Sequence, residues 1–227
     1  MAKFWAVRTT QAANQVSRGR ADQGARSAVT GGAQMDGFAA LLCRLIREAG
    51  IPEACIFTNK KRVILPGFFR ATKQWDIIVV SEGRLLATIE LKSHVGSFGN
   101  NLNNRAEEAM GSALDFWTAF RENAFNHAVR PWLGYVLLLE DSEKSQKRVK
   151  PEEPHFKVFP EFRDASYARR YELLCRKLIL ERHYQAAAFL TSPEQHGQRG
   201  VYSEPADDLT FQHFARSLVA HLGVYAQ

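Results

Sequence analysis

Asp76, Glu90 and Lys92 are the residues whose types and spacing best suit chemistry: two carboxylates and an ammonium in the pattern D-x13-E-x-K. The carboxylates offer hard oxygen ligands, and such ligands suit Mg²⁺, which keeps several waters and completes its shell with phosphate oxygens. An ammonium beside them can orient a water and stabilise the charge that builds on a phosphate under attack. The chemistry indicated is metal-assisted hydrolysis of a phosphodiester. Alone the pattern is degenerate, because a solvated strand with Glu and Lys two residues apart is common.

Residues 76–80 and 84–92 read as two strands that would position these groups, joined at Ser81-Glu82-Gly83. With a three-residue loop and a positive φ at Gly83, Val80 falls opposite Arg84 and Asp76 opposite Thr88. One face then carries Ile77, Val79, Leu85, Ala87, Ile89 and Leu91. The other gathers Asp76, Arg84, Thr88, Glu90 and Lys92, interrupted by Ile78, Val80 and Leu86. A two-residue loop is rejected on this reading, because a one-residue slip places Asp76 among Ala87, Ile89 and Leu91. Asp76 becomes the diagonal neighbour of Glu90, within reach of a common ion. Asp76, Glu90 and Leu91 are the expected metal positions.

Further elements follow from apolar periodicity. Phe38, Leu41, Leu42, Leu45, Ile46 and Ala49 mark an amphipathic helix, with Asp36 as its cap and Gly50-Ile51-Pro52 as its stop. A helix over 105–123 should bury Ala106, Met110, Ala113, Trp117 and Phe120, and Leu133 to Leu139 suits a central strand. Strand, helix, strand implies a parallel crossover. A second crossover uses a helix with Tyr167, Tyr171, Leu174 and Leu178, a strand from Ala186 to Leu190, and a closing helix with Leu209, Phe214, Leu218 and Leu222. Residues 1–34, rich in Ala, Gln, Arg, Ser and Gly, read as a weakly structured arm or short helices able to lie on DNA. The catalytic core is expected over 36–227, in one α/β domain with a central mixed sheet flanked by helices.

Composition sets limits. The chain of 227 residues is 45% hydrophobic, and no apolar run is long enough to span a bilayer. The first 26 residues lack the basic and apolar regions of a secretory signal, so the expected compartment is the cytoplasm. Cys43, Cys55 and Cys175 are odd in number and widely spaced, which suggests buried free thiols rather than disulfides or a zinc site. A formal charge of +6 favours encounter with a polyanion without naming one. No Walker-type phosphate loop occurs, and the scattered histidines lack metal-ligand spacing.

From Ser93 to Arg105 the chain holds Asn100, Asn101, Asn103, Asn104 and Arg105 directly after the catalytic strand. Asn and Arg forks match the edges of adenine and guanine, so this loop is the expected base reader. A Gly- and Asn-rich turn into a helix is the plainer alternative. Arg70 and Lys73, just before Asp76, could clamp phosphates, as could the cluster Lys144, Lys147, Arg148 and Lys150. For each of these a solvated surface is the simpler reading.

The spacing D-x13-E-x-K with both ends on strands is that of the PD-(D/E)XK nucleases, although Trp75 stands where the motif has proline. The wider stretch Gln74 to Val79 with Glu90 to Asn101, and Asn103 to Ala109, resembles the XhoI-type restriction endonucleases. The likeness runs from about Asp36 to the C-terminus. It implies a restriction-endonuclease-like fold and a Mg²⁺-dependent homodimer that cuts double-stranded DNA at the palindrome CTCGAG, leaving 5′-phosphates, with a companion methyltransferase. Asp76, Glu90 and Lys92 inherit the metal and catalytic roles. Related nucleases often draw a further acidic ligand from the first core helix, where Glu48 is placed; a helix-end glutamate whose head reaches water fits Glu48 equally. Two other readings stay open: a nuclease of the same superfamily that selects DNA structure, and a basic DNA-binding protein without catalysis.

Overall fold

The computed structural model describes residues 1–17, 33–126 and 129–226. In chain order its elements are α1 (Ala2–Ser17), α2 (Asp36–Glu48), β1 (Ile56–Phe57), β2 (Ile64–Pro66), β3 (Thr72–Gln74), β4 (Ile77–Ser81), β5 (Arg84–His94), α3 (Phe98–Arg121), β6 (Trp132–Glu140), α4 (Glu143–Gln146), α5 (Tyr167–Leu180), β7 (Ala186–Ser192), α6 (Glu194–Gly197) and α7 (Phe211–Gly223). A five-stranded mixed sheet in the order β1-β4-β5-β6-β7 forms the centre. Its first three strands are antiparallel neighbours, and β5, β6 and β7 run parallel through the two expected crossovers. β2 and β3 make a separate antiparallel hairpin.

Helices cover both faces of the sheet, so its central strands are apolar on both sides. Along β6, Leu133, Tyr135, Leu137 and Leu139 join a core with Ala113, Phe116, Tyr171 and Leu178 from α3 and α5. The intervening Trp132, Val136 and Leu138 join a second core with Phe38, Leu42, Ile46, Phe214, Leu218 and Leu222 from α2 and α7. Gly134 interrupts the run because a Cβ there would come within 2.3 Å of the Trp132 ring. Among the described residues no helix is long and apolar enough to cross a membrane. The three cysteines are free thiols, Cys175 buried and the other two half-buried.

Several expectations change. Residues 2–17 form a helix whose Phe4 and Trp5 are buried in the second core. The Trp5 indole Nε1 donates to Ser192 Oγ at 2.9 Å, and the ring lies so close to Gly197 that a Cβ there would come within 2.0 Å of it. The remainder of the expected arm, 18–32, lies outside the described residues. Met35, not Asp36, occupies the cap position of α2, and Asp36 is the first residue of that helix. α3 begins at Phe98, seven residues before the expected start; its stripe runs through Ala109, Ala113, Phe116 and Trp117, and Met110 is exposed.

The hairpin between β4 and β5 is closed by two residues, Glu82 and Gly83, both with positive φ, and Ser81 pairs with Arg84. A β-bulge between Val79 and Val80 then inserts one residue, after which Ile77 pairs with Ile89. Turn and bulge together preserve the expected facing of Ile77, Val79, Ala87 and Ile89. Leu85 and Leu86 exchange faces relative to expectation.

His94, at the end of β5, is buried against Phe98 and Tyr171, with its Nδ1 hydrogen-bonded to the Tyr171 hydroxyl. Burial, aided by the Arg105 charge, lowers its pKa from 6.5 to about 4. Between those values the unfolded chain binds a proton that the folded chain refuses, so stability falls as pH drops from 6.5 to about 4, by roughly 3 kcal/mol in all. Urea unfolding of His94→Gln should show a shallower loss over that window; an identical loss would assign the pH dependence elsewhere. Trp5→Ala should cost about 3–5 kcal/mol in the same measurement, and a cost below about 1 kcal/mol would mean that α1 is not part of the core.

Candidate active site

β5 carries Glu90 and Lys92 beyond the point where its antiparallel partner stops. β4 begins at Ile77, opposite Ile89, so β5 extends past its antiparallel neighbour from Glu90 onward. Asp76 precedes β4; one step beyond the Ile77–Ile89 pair, it stands opposite Glu90 rather than opposite Thr88. Its Oδ2 accepts the Leu91 N–H at 2.7 Å. A strand residue presents N–H and carbonyl on the same edge, so the Leu91 carbonyl shares this edge with Asp76.

Glu90 lies on the face toward α3 and is 3% exposed. Its Oε1 is 2.6 Å from Lys92 Nζ and its Oε2 accepts from Lys73 Nζ at 3.0 Å. Burial pushes the Glu90 carboxyl up, but the two ammonium groups outweigh it and hold the pKa below the ordinary value. Burial likewise pulls Lys92 down, while Glu90 and then Asp76 raise its pKa above the ordinary value. Asp76 goes the other way: burial and the Glu90 charge lift it to about 6, against the Leu91 N–H and the two lysines.

Two cavities meet this strand edge. One, of about 360 Å³, is lined by Arg70, Lys73, Glu90, Lys92, Arg105 and Glu108 among others. The other, of about 510 Å³, contains Asp76 and Leu91 together with Asp36, Arg47, Glu53 and Lys60. The acidic residue that α2 turns toward the Asp76 cavity is therefore Asp36. Glu48 is exposed at the far end of α2, 3.8 Å from Arg44, and lines neither cavity. Asp36 was legible only as a helix cap; its place beside Asp76 depends on how α2 packs.

The donor set fits Mg²⁺. Among the described residues no cluster of three or more His, Cys, Asp or Glu side chains could hold a metal ion. An ion here would rest on two carboxylates, a backbone carbonyl, water and phosphate, the pattern of a hard cation that dehydrates reluctantly. The raised pKa of Asp76 comes first from burial and then from the Glu90 charge, which the Leu91 N–H and the two lysines offset only in part.

The asparagines do not form a loop. Ser93 and His94 belong to β5, Gly96 and Ser97 turn the chain with positive φ, and Asn100, Asn101, Asn103, Asn104 and Arg105 lie on the opening turns of α3. Asn101 Nδ2 bonds Ser97 O at 3.1 Å, while Asn103 and Asn104 are exposed. The Asn100 side chain lies outside the described residues. Arg105 lines the Glu90 cavity and pairs with Glu108 at 2.6 Å. Arg70 and Lys73 line the same cavity, so five of the expected residues, Arg70, Lys73, Glu90, Lys92 and Arg105, converge there. Lys144, Lys147, Arg148 and Lys150 form a solvated surface around α4.

A family model described as Restriction endonuclease XhoI matches residues 14–204, most of the chain and all of this site. The chain belongs to the XhoI restriction endonuclease family. The XhoI-family relatives are similar over most of their length. The Type II restriction enzyme BstVI of Geobacillus stearothermophilus is 56% identical over 211 residues, covering 90% of this chain and 94% of its own. The Type II restriction enzyme XhoI of Xanthomonas vasicola is 48% identical over 184 residues, covering 80% and 73%. The Type II restriction enzyme AbrI of Azospirillum brasilense is 45% identical over 155 residues, covering 68% and 69%. No solved structure matches the chain.

The electrostatics of the pair can be measured directly. In metal-free protein the Asp76 carboxyl carbon should titrate near pH 6 by NMR. In Glu90→Gln its midpoint should fall, because a charge that raises it is gone while Lys73 and Lys92 remain. An unchanged or higher midpoint would mean that the two carboxylates are not coupled.

Proposed function

We propose that this chain is a Mg²⁺-dependent type II restriction endonuclease of the PD-(D/E)XK kind, acting as one endonuclease domain on double-stranded DNA. Its target is the palindrome CTCGAG, and cleavage leaves 5′-phosphates. The observation that carries the reading is Glu90, buried between Lys73 and Lys92 and facing Asp76 at the edge of a strand that opens onto a basic cavity. A two-fold symmetric site is matched most simply by a homodimer with each subunit cutting one strand. A companion methyltransferase that protects the same palindrome completes the system.

Asp76, Glu90 and the Leu91 carbonyl would hold a divalent cation, which when bound would supply Lewis acidity toward the scissile phosphate and the attacking water. Lys92 keeps its proton at neutral pH, because Glu90 raises its pKa. Its part is to orient the water and stabilise the charge that develops on the phosphate, rather than to remove a proton. Lys73 fixes the Glu90 carboxylate from the opposite side. Arg70 and Arg105 line the cavity through which the phosphate backbone passes, and the exposed Asn103 and Asn104 are left to reach base edges.

Asp76→Ala and Glu90→Ala should bind the CTCGAG duplex and fail to cut it, and Lys92→Ala should fail to cut with the metal still bound. Near-normal turnover in any of the three would remove that residue from the mechanism. Asn103→Ala should weaken specific binding by about 1–3 kcal/mol while sparing nonspecific binding. Arg105→Ala should weaken both alike and flatten the salt dependence. The reverse pattern in a filter-binding comparison would exchange their roles.

A further inference from the structure

The hairpin of β2 and β3 displays two phenylalanines that its own packing does not use. Val63, Leu65 and Trp75 supply its apolar contacts to the core and are buried. Phe68 and Phe69, at its tip, are 52% and 66% exposed and touch edge to face with ring centroids 5.0 Å apart. The tip that carries the two rings is fastened. The Asp115 carboxylate, buried on α3, accepts the backbone N–H groups of Phe68 and Phe69 at 2.8 Å each and the Arg70 Nε at 2.7 Å. A Cβ at Gly67 would come within 2.7 Å of the same carboxylate, so only glycine admits the approach.

The fastening also fixes direction. Arg70, held by the same carboxylate, lines the cavity of Glu90 and Lys92, as does Lys73 on the following strand. Phe68 and Phe69 directly precede Arg70 in the chain, so the tip that carries the rings also supplies a residue to that cavity. The segment leading into the hairpin is basic: Lys60, Lys61 and Arg62 are exposed ahead of β2, with the Arg62 guanidinium 4.1 Å over the Phe57 ring. Rigid apolar rings among cations suit a polyanion with apolar bases inside it.

We propose that the Phe68–Phe69 tip is a wedge that enters the target duplex and stacks against its bases at a step next to the scissile phosphate. Apolar side chains placed in this way part neighbouring bases and kink the duplex, and the lost base stacking is replaced by stacking on the rings. Asp115 acts on the DNA only through the tip, as a positioning residue. This inference rests on the nuclease reading above.

The test uses the full-length protein and CTCGAG duplexes in which 2-aminopurine replaces one adenine at a time, at the adenine of the site in either strand or at adenines placed through its flanks. Binding is read in Ca²⁺ and cleavage of the same duplexes in Mg²⁺. The wild-type protein should raise the fluorescence several-fold at one step, and Phe68→Ala/Phe69→Ala should abolish the rise and weaken binding by roughly ten-fold or more. Asp115→Asn should diminish the rise, while circular dichroism of both variants stays that of the folded protein. Wild-type protein that cuts the duplex while fluorescence stays flat at every position overturns the wedge and leaves the nuclease reading standing. Wild-type protein that neither binds nor cuts overturns both. Loss of a dimer in the double variant by light scattering, with the fluorescence rise intact, assigns the rings to a contact between two copies of the chain and also overturns the proposal.

Discussion

A carboxylate taken almost wholly out of water has to keep its cations, and the Glu90 side chain sets that condition for everything around it. Removing one partner of such a buried pair costs about 3–5 kcal/mol, because the other charge is left uncompensated. Lys92 is supplied by the same strand two residues on, but Lys73 comes from the β2–β3 hairpin. That hairpin must therefore sit over the open end of β5. Asp115 of α3 holds its tip, and Trp75, buried against Phe116, holds its base. Strand, hairpin and helix are thus tied to one another around Glu90 and its two lysines.

Much of this frame is legible in the sequence where it depends on local periodicity. The four-residue spacing of Phe38, Leu42 and Ile46, the apolar run of β6, and the stripes of α5 and α7 are each read directly from residue order. The facing of Asp76 and Glu90 is legible for a subtler reason. The two-residue turn and the bulge at Val79 and Val80 shift the pairing together by two positions, which leaves the alternation of side chains beyond the bulge unchanged. Pattern reports only that sum, so the site came out on the right face while its register and the places of Leu85 and Leu86 did not.

What the sequence conceals depends on contacts distant along the chain. Phe4 and Trp5 stand in an Ala- and Gln-rich segment without apolar periodicity, and the role of Trp5 appears only when Ser192, 187 positions away, accepts its N–H. Four asparagines in a short stretch read as a turn, because asparagine favours turns over helix interiors; the turn is instead made by Gly96 and Ser97, and the asparagines open α3. Asp115 looks like an acidic residue on a helix, yet it gathers three N–H donors. Burial alone would raise its carboxyl; the bonds from Arg70, Phe69 and Phe68 hold it below the ordinary range. Such roles are set by tertiary approach, which periodicity does not encode.

Cleavage of two matched plasmids asks whether these residues make a metal-dependent, site-specific nuclease. Purified protein is incubated with unmethylated plasmid carrying one CTCGAG site and with an otherwise identical plasmid lacking it, each with and without Mg²⁺. Linearisation of the first plasmid alone, and only with Mg²⁺, is the expected result. Cutting of both plasmids alike, or cutting that persists when Mg²⁺ is withheld and the protein has been stripped with chelator, would contradict it.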